Sequence, residues 1–289
     1  MTANIARNED IEKLADFLAN CNAQKKQNIG YIGNKKEEIL LALKDDFLQQ
    51  NGELHFAVMK DKNQNIIGAI GLDIDDSSAE VWGLFSKNNG LEIENELWNL
   101  LNLKFPHIKK FHFFINLENK EQQIFAKQIG AKNTGEHRIL SLKRKHFNTN
   151  DNENLQPFKM TDFDTFEQLH NEAFPNTYYD AKTIISRISK NHQLFVYKKN
   201  NELIGYTYFE VEPEFCEANL EYITIHSDYQ NQGYGTKLLT EVLNKIFKFP
   251  EINDLILCVS NQNSQANRVY EKVGFVNKSE LLSYTFSRV

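Results

Sequence analysis

Asn219-Leu-Glu-Tyr-Ile-Thr-Ile225 runs directly into His226-Ser-Asp-Tyr-Gln-Asn-Gln-Gly-Tyr-Gly-Thr236. The first run is rich in β-branched and aromatic residues and reads as a strand. A helix is predicted from the end of the second, because Leu238, Leu239, Val242, Leu243 and Ile246 recur on one face at helical spacing. A strand, a loop holding Gly233 and Gly235, and a helix N-terminus together make an anion site, since unpaired backbone N–H groups and the helix dipole converge there. A dinucleotide fingerprint needs a third glycine at 238, where Leu238 stands, and a Walker A loop needs Gly-Lys-Ser/Thr, which Gly235-Thr236-Lys237 does not supply. Both familiar nucleotide loops are excluded.

Downstream, Ile256-Leu-Cys-Val259 leads to a helix that opens at Asn263 and closes at Gly274. Asn suits the N-cap and Gly the left-handed residue that ends a helix. The same pattern occurs earlier: Phe113-Phe-Ile-Asn116 leads from Asn119 to Gly130, with identical Asn-to-Gly spacing. The hairpin Phe56–Met59 with Ile66–Ile70 is likewise matched by Leu194–Tyr197 with Leu203–Thr207. The chain therefore reads as one mixed α/β layer fold used twice, each copy with two N-terminal helices, antiparallel strands, a helix, a strand, a helix and a last strand. The polar run from Phe147 to Pro157 separates the copies, giving domains at 1–148 and 155–289.

Composition agrees with two folded domains: 289 residues, 41% hydrophobic and 25% charged, enough for each half to bury a core. A net charge of −6 with scattered Lys and Arg opposes nucleic-acid binding. Cys21, Cys216 and Cys258 have no metal-ligand or disulfide spacing, which suggests no metal site and fits a reducing cytoplasm. Met1 to Phe17 holds several charges and no apolar core of a signal peptide, so no targeting segment is expected, and no apolar run is long enough to span a membrane.

Gln230-Asn-Gln-Gly-Tyr-Gly235, preceded by its strand, resembles the Q/R-x-x-G-x-G/A signature of the GNAT superfamily of acyltransferases. The later segment from Leu257 to Phe275, with Asn263, Ala266, Tyr270 and Gly274, is similar to that family's second conserved segment, and the likeness extends over 155–289. Three residues differ from the common pattern: Gln230 for Arg, Asn231 for Gly and Ser227 for Pro. The resemblance implies acetyl-CoA as co-substrate. It places the pyrophosphate on the backbone of Gln230, Asn231, Gln232, Gly233, Tyr234, Gly235 and Thr236. It also gives Ile223 and Ile225 backbone contacts to the pantetheine and acetyl groups. Tyr270 takes the general-acid position for the leaving thiolate, although it shares an apolar helix face with Ala266, Val269 and Val273 and is equally a core residue by pattern. Asn263 serves as helix cap, CoA contact or both.

An ammonium acceptor must lose a proton before it attacks, and Glu221 is the candidate base. Strand alternation puts Asn219, Glu221, Ile223 and Ile225 on one face. Binding of a cationic acceptor or simple solvation are the other readings of Glu221. Cys258 is expected to be buried filler, His226 a surface residue, and Trp82 and Trp98 core anchors.

The first half repeats the scaffold without the chemistry. Ser86-Lys-Asn-Asn-Gly90 replaces the signature, and Ala126 stands where Tyr270 stands in the second copy. It is expected to be a degenerate GNAT-like domain that supports the second or walls its acceptor cleft. The expected activity is transfer of acetyl from acetyl-CoA to a primary amine on a small molecule or peptide. Two alternatives stay open: a non-catalytic acyl-CoA sensor, and a tandem transferase of the mycothiol-synthase type acting on a larger acceptor. Acceptor identity and oligomeric state are not legible.

Overall fold

The computed structural model describes residues 2–87, 91–147, 154–175 and 177–288. In chain order its elements are β1 (Ala3–Arg7), α1 (Ile11–Asn22), α2 (Lys36–Ala42), β2 (Glu53–Lys60), β3 (Ile66–Asp75), β4 (Ser78–Ser86), α3 (Leu91–Lys104), β5 (Lys110–Asn116), α4 (Lys120–Gln128) and β6 (Lys132–Lys143). There follow β7 (Leu155–Pro157), α5 (Phe163–Ala173), α6 (Ala181–Arg187), β8 (His192–Lys199), β9 (Glu202–Glu212), β10 (Glu217–Ile225), α7 (Tyr234–Ile246), β11 (Asp254–Ser260), α8 (Ser264–Val273) and β12 (Val276–Ser287). Apart from the opening strand of each copy, β1 and β7, the repeated element order is the one the two sequence halves predict.

The compact units do not coincide with those halves. Unit 1 comprises residues 1–137 and 279–289, and unit 2 comprises 138–278. The polar run chosen as boundary lies partly, at 148–153, outside the described residues. What redistributes the chain is its long last strands. Leu281–Ser287 of β12 pair antiparallel with Asn116–Lys110 of β5 inside unit 1, while the second part of β6 belongs to unit 2. A last strand follows the hydrogen-bonding edge it meets, and sequence patterning does not say whose edge that is.

Unit 1 is a sheet in the order β1-β2-β3-β4-β5-β12, antiparallel except for the parallel pair β4 and β5. Each face carries a core. Leu97, Trp98 and Leu101 of α3 and Phe125 of α4 pack on Phe111, Phe113 and Ile115; Leu14, Phe17 and Leu18 of α1 pack with Phe47, Phe56, Trp82 and Phe85 on the opposite side. Trp82 and Trp98 are 7% and 6% exposed, so both are core anchors as expected. β1 escaped the sequence reading because Ala3-Asn-Ile-Ala-Arg7 offers little hydrophobic alternation.

Unit 2 has the order β6-β11-β10-β9-β8-β7. One face is covered by α7 and α8: Leu238, Leu239, Val242, Leu243 and Ile246, the five positions predicted from spacing, are fully buried, each contributing roughly 1.5–3 kcal/mol relative to exposure. The other face carries α5 and α6 over Tyr206, Tyr208 and Tyr222. The caps also match. Asn119 and Asn263 accept from Gln122 N (3.2 Å) and Ala266 N (3.0 Å), and Gly130 and Gly274 take the left-handed φ values of 86° and 105°.

One buried charge on α7 was not anticipated. Glu241, 5% exposed, accepts from the backbone N–H of Asn154 (2.7 Å) and Leu155 (2.8 Å) and from Asn154 Nδ2 (2.9 Å), tying the start of β7 to the helix. Glu241→Ala strands two amides in a dry site and should cost about 2–4 kcal/mol. The expected result is a lower urea midpoint with an unchanged slope; an unshifted midpoint would mean that water takes over both amides.

Candidate active site

The loop before α7 owes its shape to two left-handed residues, Asn231 (φ 59°) and Gly233 (φ 84°). Asn is the side-chain-bearing residue that best tolerates this conformation, which explains how it replaces the family's glycine at 231. Gly233 is the N-cap of α7, so the amides of Gly233, Tyr234, Gly235 and Thr236 have no intrahelical acceptor. They open on a cleft of about 200 Å³ lined by Ile225, Gln230, Asn231, Gly233, Gly235 and Thr236 on one side. Its other wall is α8, through Gln265, Arg268, Val269 and Lys272. Two cations one helical turn apart thus face an array of backbone donors, an arrangement suited to a phosphorylated ligand.

Sequence reasoning missed Arg268 and Lys272. Their i, i+4 spacing was the available signal, but it does not say which face of α8 meets the loop. The expected loop residues are not all in the cleft either. Gln232 Nε2 donates to Asp228 O (2.9 Å), and the Tyr234 ring lies between Lys199 and Lys237, 5.1 and 5.7 Å from their ammonium groups. Gln230 lines the cleft, but its side-chain amide is used on Ile225 O (2.8 Å). Asn263 is engaged as a cap and does not line the cleft.

The single-face reading of β10 is corrected by a bulge. Leu220 pairs with Phe209 and Tyr222 with Tyr208, leaving Glu221 as the extra residue. A bulge shifts the side-chain phase by one. Ala218, Leu220, Ile223 and Ile225 therefore pack with the α7 side, whereas Tyr222 packs with α5 and α6. Asn219 and Glu221 do not share a face with Ile223 and Ile225.

Glu221 receives a hydrogen bond from Tyr178 Oη, in the connection between α5 and α6. Burial pushes its carboxyl above the ordinary range, the Tyr178 hydrogen bond opposes that shift, and the neighbouring Glu210 charge adds to it. A carboxyl raised in this way holds a proton more readily than an exposed one, which suits a group that takes and releases protons.

β10 and β11 are registered as a parallel pair only at Asn219 and Ile256. His226 N donates to Ile204 O (2.8 Å), so by alternation the backbone groups of Ile223 and Ile225 point away from β9, toward β11. Tyr270 sits on α8 with its ring against Phe275 (5.5 Å between centroids) and packs on the apolar cluster of unit 2. Burial pushes its phenol up to about 12, and no group among the described residues hydrogen-bonds its hydroxyl. Cys258 differs from expectation: it is exposed, on the face of β11 opposite Leu257 and Val259. Its thiol is held up at about 11 by desolvation, which leaves it un-ionised and a poor nucleophile near neutrality.

Unit 1 lacks more than the signature. Its substituted loop falls at 88–90 outside the described residues, but the space between its parallel strands is described. β4 and β5 pair only over Ser78–Glu80 and Lys110–His112. Beyond that, the chain's own segment 27–30 enters: Gly30 N donates to Phe114 O (2.7 Å), Asn116 N to Asn28 O (3.1 Å), and Gln27 Nε2 to Ser86 O (3.1 Å). Asn22, 1% exposed, holds the segment by accepting from Ile29 N (2.8 Å). Ala126, in the place of Tyr270, is fully buried.

In unit 2 a mixed sheet has its central parallel pair part beside a helix-start loop, and the element order of that unit recurs in unit 1 without the loop's signature. Residues 163–275 match the model of the Acetyltransferase (GNAT) family. It is 25% identical over 143 residues to spermidine N(1)-acetyltransferase of Vibrio cholerae, covering 48% of this chain and 76% of that protein. It is 27% identical over 86 residues to a probable spermine N(1)-acetyltransferase of Bacillus subtilis subsp. natto, covering 28% and 57% of the two chains.

Among solved structures, a GCN5-related N-acetyltransferase from Sphaerobacter thermophilus superposes with TM-score 0.78 at 12% identity, over 99% of this chain and 95% of that one. A tandem GNAT protein from the clavulanic acid biosynthesis pathway does so with TM-score 0.66 at 13% identity, over 99% and 98%. The tandem fold is thereby established, and the family supports acyl transfer as the general activity.

Proposed function

We propose that unit 2 transfers the acetyl group of acetyl-CoA to a primary amine, with aliphatic polyamines the first acceptors to test, because both curated relatives are named for spermidine or spermine. The observation that carries this reading is the cleft at the start of α7, where left-handed Asn231 and Gly233 turn backbone amides toward Arg268 and Lys272 of α8. Acetyl-CoA, when bound, supplies the activated acyl group as a thioester. Asn231 through Thr236 hold its pyrophosphate. The backbone of Ile223 and Ile225 orients the acyl arm, and a strand amide there stabilises negative charge that develops on the carbonyl oxygen.

Glu221 takes a proton from the acceptor ammonium, and the Tyr270 hydroxyl supplies one to the departing sulfur. Direct attack needs no protein nucleophile. In unit 1 the segment 28–30 takes the place between the strands that an acyl arm would need, so unit 1 serves as scaffold and not as a second cofactor site.

Thiol release from acetyl-CoA across a panel of primary amines tests the reading, and binding of acetyl-CoA without release for any amine would overturn it. Because burial raises Glu221, the acid limb of kcat/KM for the amine should lie above the ordinary carboxylate range: activity falls as pH drops through the raised value and Glu221 gains its proton. Glu221→Gln should remove that limb and lower kcat/KM by about tenfold near neutrality. The deficit should shrink toward high pH, where free amine is abundant. An acid limb that persists in Glu221→Gln would assign the base elsewhere.

A further inference from the structure

The acceptor side of unit 2 presents two carboxylates, Glu210 on β9 and Glu221 at the β10 bulge, and only one is open. Glu210 is 8% exposed and saturated: Arg187 donates Nε to Oε1 (2.8 Å) and Nη2 to Oε2 (2.9 Å), and Tyr208 Oη donates to Oε1 (2.5 Å). The Arg187 guanidinium also lies 4.6 Å over the Tyr179 ring. The Nε–Nη2 edge of the guanidinium is thus taken by Glu210, whose charge it balances, and one of its faces by Tyr179.

Glu221 has one hydrogen-bond partner among the described residues, Tyr178 Oη on Oε2, so its Oε1 is available. Tyr178 is 70% exposed, and its ring centroid lies 4.5 Å from that of Tyr179 and 6.1 Å from that of Tyr222. Tyr222 is itself fixed by Thr177, Oγ1 to Oη 2.5 Å.

We propose that Tyr178 is the specificity-determining residue of the acceptor site, its hydroxyl setting Glu221 so that Oε1 receives a primary ammonium while the rings of Tyr178 and Tyr179 flank an alkyl chain and buried Tyr222 backs them. The acceptor class is an aliphatic amine that carries no carboxylate. This rests on the transfer reading above and adds the residue that selects the acceptor. An ammonium between a carboxylate oxygen and tyrosine faces gains from both charge and ring quadrupole. Methylenes laid on the rings add selectivity, up to about fourfold for each one buried. A zwitterionic acceptor brings a second carboxylate toward Glu221 and Glu210, and the positive charge of Arg187 is already balanced by Glu210. Rejection therefore comes from an unmet like charge as well as from missing contacts.

The test uses the full chain saturated with CoA, and calorimetry with two amines of similar length, butylamine and 4-aminobutanoate. Wild type should bind butylamine at least about tenfold more tightly. Tyr178→Ala should erase most of that affinity while acetyl-CoA binding stays within twofold, and the exposed position makes loss of fold an unneeded explanation that circular dichroism checks. Tyr178→Phe keeps the ring but loses the hydroxyl that sets Glu221, so it should recover only the part of the affinity that ring contact supplies. It also removes the hydrogen bond that lowers the Glu221 pKa, so the pH at which amine binding is lost on acidification should rise. Charges that face Glu221 in this readout are Glu210 and Arg187, and both variants leave them in place.

Equal affinity for 4-aminobutanoate, or equal weakening of amine and acetyl-CoA in Tyr178→Ala, overturns the proposal. Absence of thiol release with this binding pattern intact sinks only the transfer reading. Transfer that proceeds without dependence on Tyr178 sinks only this one.

Discussion

Tyr270→Phe should lower the rate of thiol release at saturating substrates by about 10²–10³-fold, with acetyl-CoA affinity within about twofold of wild type. The substitution removes one oxygen and keeps the ring that packs against Phe275 and the apolar cluster of unit 2. No hydrogen-bond partner among the described residues is orphaned, so stability should change by no more than about 0.5 kcal/mol. The deficit then reports chemistry and not folding.

The Tyr270 phenol is pushed up to about 12 by burial. Throughout the working range it is present as O–H, the form that the role proposed for it at the departing sulfur requires. The sign of the pH dependence follows: no basic limb should arise from Tyr270 below about pH 10, since the group stays protonated there. Retention of more than half the wild-type rate in Tyr270→Phe would make this residue a packing element only.

Gly233→Asp should weaken acetyl-CoA binding by about 100-fold or more, equivalent to about 2.7 kcal/mol. Two effects add. A residue other than glycine at a φ of 84° is strained by roughly 1 kcal/mol, and a carboxylate placed at the start of α7 would repel the anion proposed to sit between the loop amides, Arg268 and Lys272. A Cβ at 233 would meet nothing within 4 Å, so no clash confuses the result. Gly233→Ala isolates the strain and should weaken binding only several-fold. Titration of wild type should saturate at one acetyl-CoA per chain, because segment 28–30 fills the corresponding space in unit 1, and the affinity should fall with salt. An affinity indifferent to Gly233→Asp, or two equivalents bound, would remove the cofactor site from where it is drawn here.

Much of the architecture was legible before any coordinates. The strand–loop–helix at 219–246, its buried helix face, both capped helices with their terminal glycines and the duplication all depend on local periodicity and capping chemistry, which neighbouring residues dictate. The absence of the cofactor signature and of a Tyr270 equivalent from the first half was likewise a matter of reading positions.

What the sequence could not decide depends on distant partners. The bulge at Glu221 lies in the register between β9 and β10, and one extra residue there moved the candidate base off the face of Ile223 and Ile225. Arg268 and Lys272 became cleft residues only when α8 packed beside the start of α7, and Tyr178 met Glu221 across 43 positions of chain. The last strands joined units other than those the polar run would assign, because a strand edge is claimed by backbone hydrogen bonds that carry no side-chain label. Local sequence thus determined which elements form and where an anion can bind; tertiary packing decided which side chains share that site.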